Sequence, residues 1–188
     1  MIEKEVWKPG NMLYPIPAVM VSCGKTEVKP NIITVAWAGT ICSSPAMVSI
    51  SVRKERYSYD LIKDSGEFVI NLVTKELVRK ADYCGVKSGR DVDKFEKMKM
   101  TPMKAQKVTA PLIGESPVNI ECVVKDILPL GTHDMFIAEV VSVEVDKRLI
   151  DKNGKFHLNN SGLIVYSHGE YYGLGELLGK FGYSVKKK

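Results

Sequence analysis

The sequence predicts a mainly β fold, an antiparallel barrel carrying a few short peripheral helices, and three observations lead there. Six runs rich in valine and isoleucine recur along the chain, each short enough for a single strand. Turn residues punctuate them at Gly24, Pro30, Pro45, Gly66, Pro117, Pro129 and Gly131. Helical patterns are brief and scattered instead of alternating with strands, which argues against a doubly wound parallel sheet. No repeat and no linker-like stretch interrupts the 188 residues, so the whole chain, 1–188, is expected to form one domain.

In chain order, the runs Ala18 to Cys23, Ile32 to Gly39, Met47 to Val52, Phe68 to Val73, Val118 to Val124 and Phe136 to Val145 are the expected strands. Between the third and fourth lies an expected helix, Ser58 to Ser65, with Ser58 as N-cap and Gly66 just past its end. Lys75 to Tyr83 carries Leu77, Val78 and Ala81 at helical spacing, and Val92 to Met98 is a further short helix. A glycine-interrupted pattern over Tyr172 to Phe181 completes the set.

Composition narrows the function. Lys and Arg total 27 against 22 Asp and Glu, a net charge of +5 without the clustered stripe of a nucleic-acid binder. No apolar run reaches membrane-spanning length, and acids stand where a signal peptide needs bases, so the expectation is a cytoplasmic protein without a membrane partner. Cys23, Cys42, Cys84 and Cys122 form no CxxC pair and read as reduced structural thiols. His133, His157 and His168 lack ligand spacing, so no metal site is expected. Gly173, Gly175 and Gly179 miss the dinucleotide fingerprint by one position, and no P-loop is present.

The informative stretch is Asn31 to Ser58. Alternation places Thr34, Ala36, Ala38 and Thr40 on one strand face, with Ile33, Val35 and Trp37 on the other. In the next strand Ser49, Ser51 and Arg53 share a face opposite Val48, Ile50 and Val52. Such a strip of small hydroxyl and methyl side chains leaves room for a flat heteroaromatic ring, with Arg53 able to reach an attached anion. Arg56 precedes the helix start at Ser58, whose free amides suit a phosphate, and Lys87, Ser88 and Arg90 add cations and a hydroxyl in a nearby loop. Taken singly, these features also describe an exposed strand face, an ordinary helix cap and a solvated turn. Together they favour a phosphate-bearing aromatic cofactor.

A family resemblance rests on Asn31-Ile-Ile-Thr34-Val-Ala-Trp37-Ala-Gly39, Ser44-Pro45, Ser49-Ile-Ser-Val-Arg53-Lys-Glu-Arg56-Tyr-Ser58 and Ser65-Gly-Glu-Phe-Val-Ile-Asn71. It continues through Asp82-Tyr-Cys-Gly85, Ser88 to Phe95, Ser116 to Cys122 and Gly131-Thr-His133 to Val140. The order and spacing of these segments, from about Pro17 to Tyr172, resemble the flavin reductase-like family, and most of all its flavoredoxin type.

The resemblance implies a split antiparallel barrel of Greek-key type, tightly bound FMN, and a homodimer with the flavin near the subunit interface. By this likeness Asn31, Thr34, Ala36, Trp37 and Thr40 would border the isoalloxazine. Ser49, Ser51 and Arg53 would follow the ribityl chain, while Arg53, Arg56 and Ser58 hold the phosphate, with Lys87, Ser88 and Arg90 as further contacts. His133 stands in the family's Gly-x-His signature and would act beside the flavin, where from sequence alone it reads as a turn histidine. Trp37 and the Tyr171-Tyr172 pair read as packing or interface residues as readily as ring contacts. The implied activity is transfer of electrons from NADH, NADPH or a redox protein partner through FMN. Two alternatives stand beside it: a reductase that releases flavin to a monooxygenase, and a non-catalytic flavin- or haem-binding module.

Overall fold

The computed structural model describes residues 1–25 and 29–185. Its strands are β1 (Ile16–Pro17), β2 (Val19–Cys23), β3 (Asn31–Val35), β4 (Ala38–Ser43), β5 (Ala46–Arg53), β6 (Glu67–Leu72), β7 (Pro102–Met103), β8 (Leu112–Ile113), β9 (Val118–Pro129), β10 (His133–Val145), β11 (Ile164–Ser167) and β12 (Glu170–Gly173). Three α-helices interrupt them: α1 (Tyr57–Ser65), α2 (Val78–Val86) and α3 (Lys94–Lys97). The main sheet has seven strands in the order β3-β2-β6-β9-β10-β5-β4, paired antiparallel throughout.

That order forces the sheet to roll. β3 and β4 stand at its opposite ends, yet only Ala36 and Trp37 separate them in the chain. The two edges must therefore meet, and the Ser51 amide donates to the Trp37 carbonyl at 2.9 Å where they do. The result is the mainly β, split-barrel architecture, with a seam between β3 and β5 where no ladder forms. Inside it Val21, Ile50, Phe68 and Phe136 are fully buried or nearly so. A second core on the outer face packs Met20 and Ile32 against Leu77, Ala81 and Phe95. Being covered on both sides, β2 is buried along its whole length and shows no alternation.

β5 follows the expected pattern, with Val48, Ile50 and Val52 inward and Ser49 and Ser51 half-buried. Several expectations are corrected. The run Ile32 to Gly39 is two strands, because the barrel corner falls at Ala36-Trp37; Trp37 thus leaves the face of Ile33 and Val35 and is 41% exposed. Ser58 is not the N-cap: Arg56 holds that position without a side-chain cap, and buried Ser58 sits in the first turn. The chain turns over Lys75 to Leu77 before α2, and α3 is a single turn capped by the Asp93 carboxylate, which accepts from the Glu96 amide at 3.0 Å. Tyr172 to Phe181 is not helical: Tyr172 and Gly173 belong to β12, and Gly175 and Gly179 follow in irregular chain. The small sheet β1-β11-β12, which covers α2 through Tyr171, was not marked by any long apolar run.

Candidate functional site

Three cavities join end to end along the seam. At one end the start of α1 meets the loop after α2 around a space of about 150 Å³. Asn31, Arg56, Ser58, Lys87, Ser88 and Arg90 all line it. Asn31 Nδ2 donates to Ser58 Oγ at 2.8 Å, tying the edge strand β3 to the first turn of α1. The loop can lie this close because residue 89 is glycine: a Cβ there would collide with Asn31 Oδ1 and the Tyr57 ring. Arg90 donates to the Glu55 carbonyl at 3.2 Å, its guanidinium 5.4 Å from the centre of the Tyr57 ring.

Lys94 is the residue that sequence reasoning missed. It is buried beneath this end, and its ammonium donates to the Ile32 carbonyl at 2.6 Å and the Cys84 carbonyl at 2.8 Å. In the expected helix Val92 to Met98, a lysine among acidic and basic neighbours carries the signal of a solvated helix face, so only the fold reveals its place. Burial pushes its pKa below the ordinary lysine range. Cys84 also lines the cavity, but burial pushes its thiol up to about 11, which makes it a poor thiolate.

Arg56 also lines the middle cavity, of about 170 Å³, together with Thr34, Ala36, Trp37, Ser51, Arg53 and His133. The Thr34 hydroxyl donates to the Ala81 carbonyl at 2.5 Å, so its proton serves α2. His133 faces Arg53 across the β5–β10 ladder, and its ring centroid is 4.4 Å from that of Trp37. Thr132 Oγ1 lies 2.9 Å from His133 Nδ1, which leaves Nε2 for other partners. Burial, and then the nearby Arg53 charge, hold the His133 pKa below its ordinary value. Arg53 pairs with Glu55 at 3.3 Å, both side chains at least half exposed, an arrangement worth little by itself.

The outer cavity, about 620 Å³, shares Ala36, Trp37 and Ser51 with the middle one and adds Ser49, Met135 and residues 10–14 of the N-terminal segment. The structure therefore brings the expected site residues into one groove, with one exception. Thr40 is exposed on β4 opposite Val48 and lines none of the three cavities. Arg53 lines the middle cavity, whereas Arg56 reaches the basic end as well.

Residues 12–175 match the flavin reductase like domain. The chain belongs to the flavin reductase-like family. Flavoredoxin of Desulfovibrio vulgaris (Miyazaki F) superposes with a TM-score of 0.89 at 33% identity, over 98% of this chain and 100% of that one. Flavoredoxin from Methanosarcina acetivorans gives 0.86 at 25% identity, over 98% and 100%. A ferric-chelate reductase (NAD(P)H) of Archaeoglobus fulgidus is 30% identical over 108 residues, covering 57% of this chain and 63% of that protein. This flavin reductase-like chain is thus of the flavoredoxin type, and its family supports a flavin-related oxidoreductase function. Among the described residues no helix is long and apolar enough to cross a membrane.

Proposed function

We propose that the chain is an FMN-binding oxidoreductase that takes electrons from a reduced nicotinamide nucleotide or a redox protein and passes them on. The observation that carries this reading is the graded groove: Arg56, Lys87, Arg90 and Lys94 around the start of α1 at one end, with Glu55 as its acid, Arg53, Arg56, His133 and small side chains at the middle, and no charge at the outer end. That gradient fits a ligand with a dianionic phosphate at one end and a flat, weakly polar ring system at the other. Bound flavin supplies the centre that accepts and releases hydride or single electrons.

The protein's part is binding and orientation. Arg56, Lys87 and Arg90, with the first-turn amides of α1, hold the phosphate, and buried Lys94 fixes β3 against the end of α2 so that the loop keeps its position. Ser51 and Ala36 leave space for the ribityl chain and ring because neither projects beyond Cβ by more than one atom. Neutral His133, held by Thr132 and tilted against the Trp37 ring, offers a ring nitrogen to the polar edge of the ring system. No nucleophile or metal ligand has to act. Exposed Leu174, Leu177, Leu178 and Phe181 in the C-terminal segment are apolar surface that a second copy would cover, in line with a homodimer.

The test is reconstitution followed by desalting. Stoichiometric FMN that stays with the protein supports a prosthetic group. Flavin that exchanges freely and is turned over when added supports the reductase that releases its flavin to a monooxygenase. Protein that binds no flavin contradicts both readings.

A further inference from the structure

The basic end of the groove is small, and its far wall is tied shut. The cavity there holds about 150 Å³, against the roughly 300 Å³ at which pockets for drug-sized ligands begin. Ile33 and Arg56 border it and the middle cavity alike, so they mark the passage between the two. Glu55, Tyr57 and Arg90 border the end cavity and neither of the others, which puts them beyond that passage. They are also where the two walls meet. Arg90, from the loop after α2, donates to the Glu55 carbonyl at 3.2 Å, and its guanidinium lies 5.4 Å from the ring centre of Tyr57, the first residue of α1. The loop has no slack beside this tie, since a Cβ on residue 89 would stand 2.7 Å from Tyr57 Cδ1.

We propose that Arg90 and Tyr57 are the specificity-determining pair by which this chain accepts a flavin mononucleotide and rejects the dinucleotide. The inference rests on the flavin reading above and names what limits the length of the ligand. In the mononucleotide the phosphate is a terminal monoester, whose three outer oxygens are all free to accept from Arg56, Lys87 and the first amides of α1. In the dinucleotide one of those oxygens is bonded to a second phosphate that carries adenosine. The first phosphate then keeps a single negative charge, and the adenylate has to leave through the wall that Arg90 and Tyr57 close, because the cavity has no volume for it. Parting that wall gives up a guanidinium hydrogen bond and a cation–π contact, which weakens binding of the longer ligand by about tenfold or more.

The experiment titrates the flavin-free full chain with FMN and with FAD by calorimetry, for the wild type, Tyr57→Phe, Tyr57→Ala and Arg90→Ala. The wild type is expected to favour FMN by about a hundredfold, the tie and the lost phosphate charge acting together. Tyr57→Ala opens the wall without removing a cation, so FAD affinity should rise about tenfold while FMN affinity stays within about threefold. Arg90→Ala should move the two ligands in opposite directions, FMN down and FAD up, a crossing that a general loss of folding does not produce. Tyr57→Phe keeps the ring and should keep the wild-type ratio. Equal affinity of the wild type for FMN and FAD, or a ratio that Tyr57→Ala and Arg90→Ala both leave unmoved, would overturn the inference. A wild-type chain that binds neither flavin would instead overturn the flavin reading on which it rests.

Discussion

Replacing Arg56 with alanine isolates what the basic end of the groove does. Arg56 borders both the end cavity and the middle one, beside Lys87, Arg90 and the start of α1. A hydrogen bond from a guanidinium to a phosphate oxygen is worth about 1.5–3 kcal/mol. Because Arg56 is exposed, screening by water puts it at the low end, about 1.5 kcal/mol, which is roughly tenfold in a dissociation constant. Riboflavin has the same ring and ribityl chain without the phosphate, so its affinity should barely move. The ratio of FMN to riboflavin affinity should therefore fall about tenfold, and the loss should shrink as added salt shortens the screening length. Arg53, confined to the middle cavity and paired with Glu55, should change that ratio less when it is replaced in the same way. Titration of flavin-free protein with each ligand, followed by flavin fluorescence at low and high salt, measures both. Equal losses for FMN and riboflavin in Arg56→Ala would refute the reasoning.

Other expectations follow from the same geometry. His133 is held below its ordinary value of about 6.5 by burial and Arg53, so it is neutral at pH 7, and flavin reduction should change with pH only below that value. Stopped-flow reduction across pH checks this: Arg53→Ala should raise the midpoint, His133→Ala should abolish it with flavin still bound, and a wild-type midpoint above 7 would contradict the assignment. Lys94→Met leaves the Ile32 and Cys84 carbonyls without their donor, so chemical denaturation should show a loss of about 2 kcal/mol, with FMN affinity falling alongside; unchanged stability would argue against the clamp. Tyr59 donates to Asp134 Oδ2 at 2.6 Å, and Lys54 lies 3.4 Å from Oδ1, which together keep this carboxyl below the usual range. A folded-state value below the unfolded one adds stability above about pH 4 that is lost as pH falls through the folded value. The gap in Tm between wild type and Asp134→Asn should thus narrow on acidification, and a constant gap would speak against it.

Much of this was legible in the sequence where a residue's environment is set by its neighbours in the chain. Val48, Ile50 and Val52 alternate with Ser49 and Ser51, and the strand they form has the expected faces. The limits came where distant elements decide. At Ala36-Trp37 the chain crosses from one edge of the sheet to the other, a bend imposed by barrel closure that no local pattern encodes. Ser58 looked like a helix cap because caps are common before such patterns, yet its hydroxyl accepts from Asn31, twenty-seven positions earlier in the chain. Lys94 and residues 10–14 are site residues only because α3 and the N-terminal segment fold back on the seam. Thr40 shared an apparent face with Thr34, and the same corner carries it away from the groove.

The measurement that tests the central claim most directly is the visible spectrum of the FMN-reconstituted chain under anaerobic conditions, before and after NADH and then NADPH. The account predicts flavin bands that remain with the protein through gel filtration and bleach on addition of one of these donors or of a reduced redox protein. A colourless protein that cannot be reconstituted with FMN, or bound flavin that none of these donors reduces, would contradict it.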